Sequence, residues 1–319
     1  MAQAVIDGIE YTPPKRGFKG VLKEMRREWT AYLMNAPGLI LFCVFVIYAL
    51  YTSFTLSFRQ WDILQPAKPF VGLQNYREVL HDTAFWLSIG HTIYYVVGTV
   101  PAEMALGLAL ALLLNAKLRA MGIFRTAYYL PVVTPFVVAA IIWKWVYNGD
   151  FGLANFYLLK LHLISHPLLW LSSERLAMPA VIIMIIWKSA GFNMVMYLAG
   201  LQAIPDEFYE AAAVDGAGAW QRFRRITFPL LAPMTFFLLV INTIGATKDF
   251  TTIFVMTNGG PPGPGGATTT VVYYIYTQAF KFFRMGYASA LAYTLFVLLF
   301  VISFAQFRWY MHRVEEPNS

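Results

Sequence analysis

Ionisable side chains interrupt three long apolar runs of this sequence. Glu103 stands in GTVPAEMALGLALALLL, Lys188 in VIIMIIWKSAGFNMVMYL, and Lys248 and Asp249 in INTIGATKDFTTIF. Such groups are costly in hydrocarbon, so each must face protein or water and is by default a candidate for function. Lys188 lies about eleven residues into its run, roughly 16 Å at the helical rise and near a bilayer centre. Unpaired there, it would cost about 2.5–3.5 kcal/mol. Depth makes Glu103 its expected partner in a structural ion pair, with a transport role for the two as the alternative. Lys144, near the outer end of its run, is expected to snorkel. INTIGATKDFTTIF also carries Asn242, Thr243 and Thr247 in its outward half, and Asn193 and Trp187 flank Lys188. No catalytic constellation accompanies these residues. There is no G-x-S-x-G and no clustered acid and base, so the expected catalytic set is none. His81, His91, His162, His166 and His312 lack ligand spacing, so no metal is expected. Nor is there a G-x-x-x-x-G-K-[ST], so the chain cannot cradle a nucleotide by a P-loop.

The elements that position these residues are apolar helices. Of the 319 residues 58% are hydrophobic and 13% charged, against about 45–50% and 25% in soluble domains. That balance indicates an all-α integral membrane protein. Six candidate spans of about 20 or more residues cover 34–58, 86–113, 124–146, 177–203, 229–250 and 288–309. Runs such as MALGLALALLLN are apolar throughout and exclude the alternation of a β-barrel. The formal net charge of +7 is scattered at the ends of apolar runs, which excludes a nucleic-acid face and marks topology instead. Cys43 is the single cysteine and is expected to be a small core hydrophobe.

Lys15, Arg16, Lys19, Lys23, Arg26 and Arg27 precede the first span. Lys117, Arg119 and Arg125 crowd the connection after the second, and Arg222, Arg224 and Arg225 follow the fourth. By the positive-inside rule both termini are expected in the cytoplasm. The first 30 residues are too long and too charged for a cleaved signal, so the first span is expected to be retained. The expected organisation is a cytoplasmic segment 1–33, a transmembrane domain 34–309 and a tail 310–319. Pro101, Pro131, Pro135, Gly191 and Gly200 are expected to interrupt their spans on faces that look into the bundle, or simply to kink them.

Between the fourth and fifth spans lies YEAAAVDGAGAWQRFRRITFPLL (209–231), rich in small and charged residues. Pro205 near a helix start, Asp206 and Glu207 in the first turn, and Ala211, Ala212 and Ala213 predict a short helix at about 205–218. Gly216 and Gly218 supply its stop and a tight turn. A second helix follows, its arginines wet while Phe223, Ile226 and Phe228 lead into the next span. An interfacial helix needs large apolar anchors. This one offers mostly methyl groups, which fits docking of another protein.

EAAAVDGAGAWQRFRRITFPLL resembles the EAA loop of permease subunits of binding-protein-dependent ABC importers, matched by Glu210, Ala211, Ala212, Asp215, Gly216, Ile226 and Pro229. FVGLQNY (70–76), FRTAYYLPVVTPFVVAAIIWKWVYN (124–148), GLQAIP (200–205) and TNGGPPGPGGATTT (257–270) resemble the carbohydrate-uptake branch. That branch includes the larger maltose permease subunit and glycerol phosphate permeases. The resemblance implies a type I (MetI-like) architecture and a permease that is not itself an enzyme. It implies a second permease subunit in a heterodimer, two cytoplasmic ABC ATPases holding ATP and Mg, an extracytoplasmic solute-binding protein, and a place among the lipids of a bacterial or archaeal inner membrane. Glu210, Ala211, Ala212, Ala213, Asp215, Gly216, Ala217, Ile226 and Pro229 would couple to the ATPase. In the resembling maltose subunit the stretch before TNGGP presents amides to the sugar, so Thr247, Lys248 and Asp249 become the first candidates for solute contact. Charged residues replace amides here, which leaves open a different ligand or an ion pair at the membrane edge. Asn193 and Trp187 are the second choice, since amides bond hydroxyls and aromatic faces stack on sugar rings. The 257–270 loop would either contact the binding protein or merely join two spans. A lipid-acting enzyme would need a His, Asp or Ser cluster that is absent. An ion-driven secondary transporter remains the alternative, but it leaves the alanine-rich helix without a role.

Overall fold

The computed structural model describes residues 5–6, 9–10, 29–63, 68–115, 121–257 and 264–315. The basic residues from Lys15 to Arg27, Lys117, Arg119 and the 258–263 part of the glycine-rich loop lie outside them. Two compact units divide the chain, Met1–Thr55 and Leu56–Ser319.

In the first unit Val5–Ile6 pairs antiparallel with Ile9–Glu10. Helix α1 (Trp29–Phe42) continues through a π-helical turn (Cys43–Ile47) into α2 (Tyr48–Ser57). The apolar stretch Tyr32–Ser57 is 26 residues long, enough to cross about 30 Å of hydrocarbon. Cys43 is exposed on it, not buried in a core as its residue type suggests. Leu41, Phe45, Tyr48 and Tyr51 are exposed on different sides, as a helix apolar all round requires when lipid or another subunit is its solvent.

In the second unit a short helix α3 (Gln74–His81) is pinned by Asn75, whose amide donates to the carbonyls of Ser57 (2.8 Å) and Arg59 (3.0 Å). Asp82 then caps α4 (Thr83–Leu114), Oδ1 accepting from the N–H groups of Ala84 (2.9 Å) and Phe85 (3.3 Å). Its Oδ2 accepts from the hydroxyls of Tyr274 and Tyr287, both at 2.5 Å. Burial opposes ionisation of Asp82, but these bonds together outweigh it and hold the carboxyl below the usual carboxylate range.

The centre of the second unit is α8 (Ala177–Gln202). Its most apolar window is 61% buried, against 33% for α4 and 22% for the last long helix, so α8 is the element around which the others pack. Small residues let neighbours approach. A Cβ on Gly191 would collide with the carbonyl oxygen of Tyr128 in α5 (Met121–Val133). Helix α5 stops at Thr134 and Pro135, and α6 (Phe136–Val146) leaves at 97°. The connection that follows holds α7 (Leu153–Lys160), organised by buried Asn155. The Asn155 amide donates to the carbonyls of Gly149 and Leu168, and its Oδ1 accepts from Leu168 N and Trp170 Nε1.

Past α8 come α9 (Asp206–Val214) and α10 (Ala219–Arg222). A π-helical turn (Phe223–Thr227) leads to α11 (Phe228–Leu230), and α12 (Ala232–Thr247) starts after a 61° bend between Pro229 and Pro233. Helices α13 (Thr251–Met256) and α14 (Val271–Tyr276) occupy the next connection, and α15 (Met285–Glu315) ends the described chain. Among the described residues four unbroken helices are long and apolar enough to cross a membrane, and six candidate spans result if each bent pair counts as one.

Pro101, Gly191 and Gly200 lie inside unbroken helices, so they do not interrupt their spans, which leaves the alternative of a kink; the break in the third span falls at Pro135. The reason lies in the freed carbonyls. At the α5 terminus Thr134 Oγ1 donates to Leu130 O (3.2 Å), and the Lys188 ammonium donates to the carbonyls of Pro131 (3.1 Å), Val132 (3.3 Å) and Thr134 (2.8 Å). A helix can end inside a membrane protein where donors meet its last carbonyls.

Candidate functional site

The Lys188–Glu103 ion pair expected from depth is not formed. Lys188 is 2% exposed and spends its ammonium on the α5 terminus, with Nζ 4.1 Å from the centre of the Phe136 ring. That location follows from α5 and α8 crossing at Gly191, one turn from Lys188. Glu103, 4% exposed, instead shares the wall of a cavity with Ser189.

Glu103 lines a cavity of about 390 Å³ between α4, α8 and the end of α12, within the range of about 300–1,000 Å³ common to small-ligand sites. Tyr95 and Glu103 of α4, Ser189 of α8, and Asn242, Lys248 and Asp249 supply its polar wall, and Phe136 and Ile241 part of its apolar wall. Each helix contributes one face. Tyr95 and Glu103 are separated by about two turns, and Ile185 and Ser189 by one. Asp249 Oδ2 accepts from Tyr95 Oη at 2.6 Å and Oδ1 accepts from Thr252 N at 3.2 Å, which ties the end of α12 to α4. Asn242 Nδ2 donates to Asn193 Oδ1 at 2.7 Å, and Asn193 Nδ2 donates to Ser189 O at 3.2 Å.

Of the residues expected at a solute site, Lys248 and Asp249 line this cavity. Asn193 is fully buried behind it and reaches it only through Asn242. Thr247 points elsewhere, donating to Thr243 O (2.8 Å) on a groove shared with Leu295, Leu299 and Gln306. Trp187 is 40% exposed and packs its ring against Trp143 at 5.6 Å, outside the cavity. Tyr95 and Ser189 belong to the wall and carry no signal in sequence beyond sharing a helical face with Glu103 and Ile185.

The alanine-rich segment forms the predicted helix and turn. Pro205 precedes α9, Asp206 and Glu207 occupy its first turn, and none of its residues is buried. Gly216 at φ +74° ends it, with Ala217 N–H donating to Ala212 O (2.8 Å) and Gly216 N–H to Ala213 O (3.1 Å). These two bonds make a Schellman stop, which favours glycine at that position. Gly218 N–H then donates to Gln221 Oε1 (2.9 Å) to start α10. Tyr209 anchors the segment, its hydroxyl 3.0 Å from Thr227 Oγ1 and its ring against the cluster of Leu201, Leu231 and Leu238. Glu210, Ala211, Ala213, Asp215 and Gly216 are exposed, and Ala212 and Ala217 half-buried. The surface is less methyl-lined than the alanines suggest, because Phe208, Val214 (89%) and Trp220 (70%) also stand exposed. Farther along, Ile226 is half-buried and Pro229 exposed at the bend into α12. From Ser189 in the cavity wall to the end of α8 is about 20 Å along one helix.

Residues 103–313 match the family described as binding-protein-dependent transport system inner membrane component. The chain is 38% identical over 280 residues to the trehalose/maltose transport system permease protein MalF of Thermococcus litoralis, covering 88% of this chain and 92% of that one. It is 35% identical over 278 residues to the lactose transport system permease protein LacF of Rhizobium radiobacter, covering 86% and 92%. Among solved structures, a chain of a bacterial alginate ABC transporter in complex with an alginate pentasaccharide-bound periplasmic protein superimposes with a TM-score of 0.76 at 25% identity. That match covers 90% of this chain and 95% of the other.

Proposed function

The chain belongs to the family of binding-protein-dependent transport system inner membrane components, and from that premise we infer that it is the permease subunit of an ATP-driven importer for a sugar or sugar-like solute. The names of its relatives, transporters of trehalose, maltose and lactose, support the solute class. An extracytoplasmic binding protein delivers the solute, and a second permease subunit completes the path. Two copies of an ABC ATPase bind ATP and Mg, so hydrolysis does not belong to this chain. Both termini lie in the cytoplasm of a bacterial or archaeal cell and the protein crosses the inner membrane several times. Residues 1–33 and 310–319 flank the transmembrane domain 34–309.

One observation carries this reading: the exposed α9 helix, with Glu210-Ala211-Ala212 and the Gly216 stop, sits directly on the end of the central helix whose middle lines the cavity. A load applied to residues 205–218 reaches the cavity wall through α8, and through Tyr209 and Thr227 into the bent α10–α12 segment. Closure of an ATPase dimer against this lever shifts the permease between inward-open and outward-open populations. Lys248 and Asp249 face the passing solute.

The test is co-purification of the ATPase with the permease pair and solute uptake in proteoliposomes, for Glu210→Lys and Gly216→Val. Valine at a φ of +74° costs about 1–2 kcal/mol and breaks the stop, whereas Gly216→Asn tolerates that conformation. Both disruptive variants should insert normally yet lose most bound ATPase and uptake, and Gly216→Asn should keep them. Wild-type ATPase recovery in Glu210→Lys and Gly216→Val would sink the docking role.

A further inference from the structure

With Lys188 committed to the α5 carbonyls, Glu103 is a buried carboxyl on a cavity wall with one hydroxyl beside it and no cation bonded to it among the described residues. The donors and acceptors around it are unevenly matched. The Tyr95 hydroxyl is spent on Asp249. The Asn193 amide is spent on the Ser189 carbonyl, which turns Asn193 Oδ1 toward Asn242 and consumes an Asn242 N–H in turn. Asn242 therefore keeps its carbonyl oxygen free. Asp249 retains lone pairs beyond the two bonds it accepts, and an ionised carboxylate has about four such sites. Of the wall's donors the Tyr95 hydroxyl and one Asn242 N–H are bonded internally; the second Asn242 N–H, the Thr251 hydroxyl and the exposed Lys248 remain, against the carboxyl oxygens of Glu103 and Asp249 and the Asn242 carbonyl, so acceptors outnumber donors.

We propose that this cavity selects a donor-rich solute, a neutral or amino sugar, over an acidic one, and that Glu103 is the side chain that makes the selection. Sugar hydroxyls or an ammonium supply the donors that Glu103 and the Asn242 carbonyl lack. A solute whose donors meet these acceptors is favoured over one that leaves them without a partner. A uronate replaces a hydroxyl with a carboxylate that only accepts, so it offers fewer partners to the free acceptors of Glu103, Asp249 and the Asn242 carbonyl. This assignment rests on the sugar-importer reading above.

The experiment uses the assembled complex of two permeases and two ATPases without binding protein, so that the outer filter is absent. Equilibrium binding of labelled maltose, glucosamine disaccharide and digalacturonate is measured for wild type, Glu103→Gln and Glu103→Asp. Wild type should hold the neutral and amino sugars about tenfold or more tighter than the uronate, the worth of one hydrogen bond to a charged group. Glutamine should weaken the first two and bring the ratio toward one, and aspartate should preserve the preference in part. Equal or tighter binding of digalacturonate by wild type, no binding of any of the three, or an equal loss for all three in Glu103→Gln would each overturn the role of Glu103. Uptake by the complete importer with its binding protein separates the two levels. If it takes up no sugar of any charge the sugar reading itself fails, whereas sugar uptake with an unchanged preference in Glu103→Gln removes this inference alone.

Discussion

Lys188→Met isolates what one ammonium does for the broken third span. Methionine keeps most of the stem's bulk and removes the donors to Pro131, Val132 and Thr134. Each carbonyl left dry costs about 1–3 kcal/mol, so three cost about 6 kcal/mol at mid-range. Loss of the cation–π contact with Phe136 adds about 1–2 kcal/mol in a desolvated setting. Against this, the variant no longer holds a cation deep in the membrane, which returns about 2.5–3.5 kcal/mol. Partial relaxation of the terminus lowers the cost further, and a net loss of about 3 kcal/mol is expected. The assay is equilibrium unfolding of the purified complex in mixed micelles, paired with hydrogen exchange over residues 128–140. Lys188→Met should unfold at lower denaturant and exchange faster on both sides of the break, while Lys188→Arg, which keeps donors and charge, should retain part of the stability. A Lys188→Met protein within about 0.5 kcal/mol of wild type, with unchanged exchange at the break, would refute the argument that the ammonium is what permits the 97° turn.

Two further outcomes test the N-terminal end of α4 and the limits of the cavity. Because Asp82 is held below the usual carboxylate range, its stabilising effect is present above about pH 4 and is lost as pH falls through the folded value. The unfolding midpoints of wild type and Asp82→Asn should therefore differ by a constant amount from about pH 5 to 8, and the difference should shrink only as pH falls below about 4; a difference already lost by about pH 5 would contradict the network with Tyr274 and Tyr287. In uptake assays Thr247→Val and Trp187→Phe should stay within about twofold of wild type, whereas Lys248→Met and Asp249→Asn should change the rate or the preference among sugars. The reverse ranking would place the solute outside the cavity described here.

The physical reasons for what was legible from the sequence differ from element to element. Apolar runs of spanning length identify themselves, because hydrocarbon leaves a backbone few alternatives to a helix, and the starts at Ala177 and near Thr83 follow from composition alone. The α9 turn was equally legible, since Pro205, the first-turn acids, the alanines and Gly216 act within a dozen neighbouring residues. The break at Pro135 was only half legible. Proline supplies the tendency, but whether a span bends or breaks depends on a donor for the freed carbonyls, and that donor comes from Lys188, 54 residues away from Thr134. The helices within the connections, α7 and α13 among them, are too short to declare themselves against their loops. Depth alone paired Lys188 with Glu103, because distance along a helix can be counted while the direction a side chain faces cannot. Only the packing of α4, α5 and α8 sends the ammonium to one side and leaves the carboxyl on the other, and with that it decides which residues line the cavity.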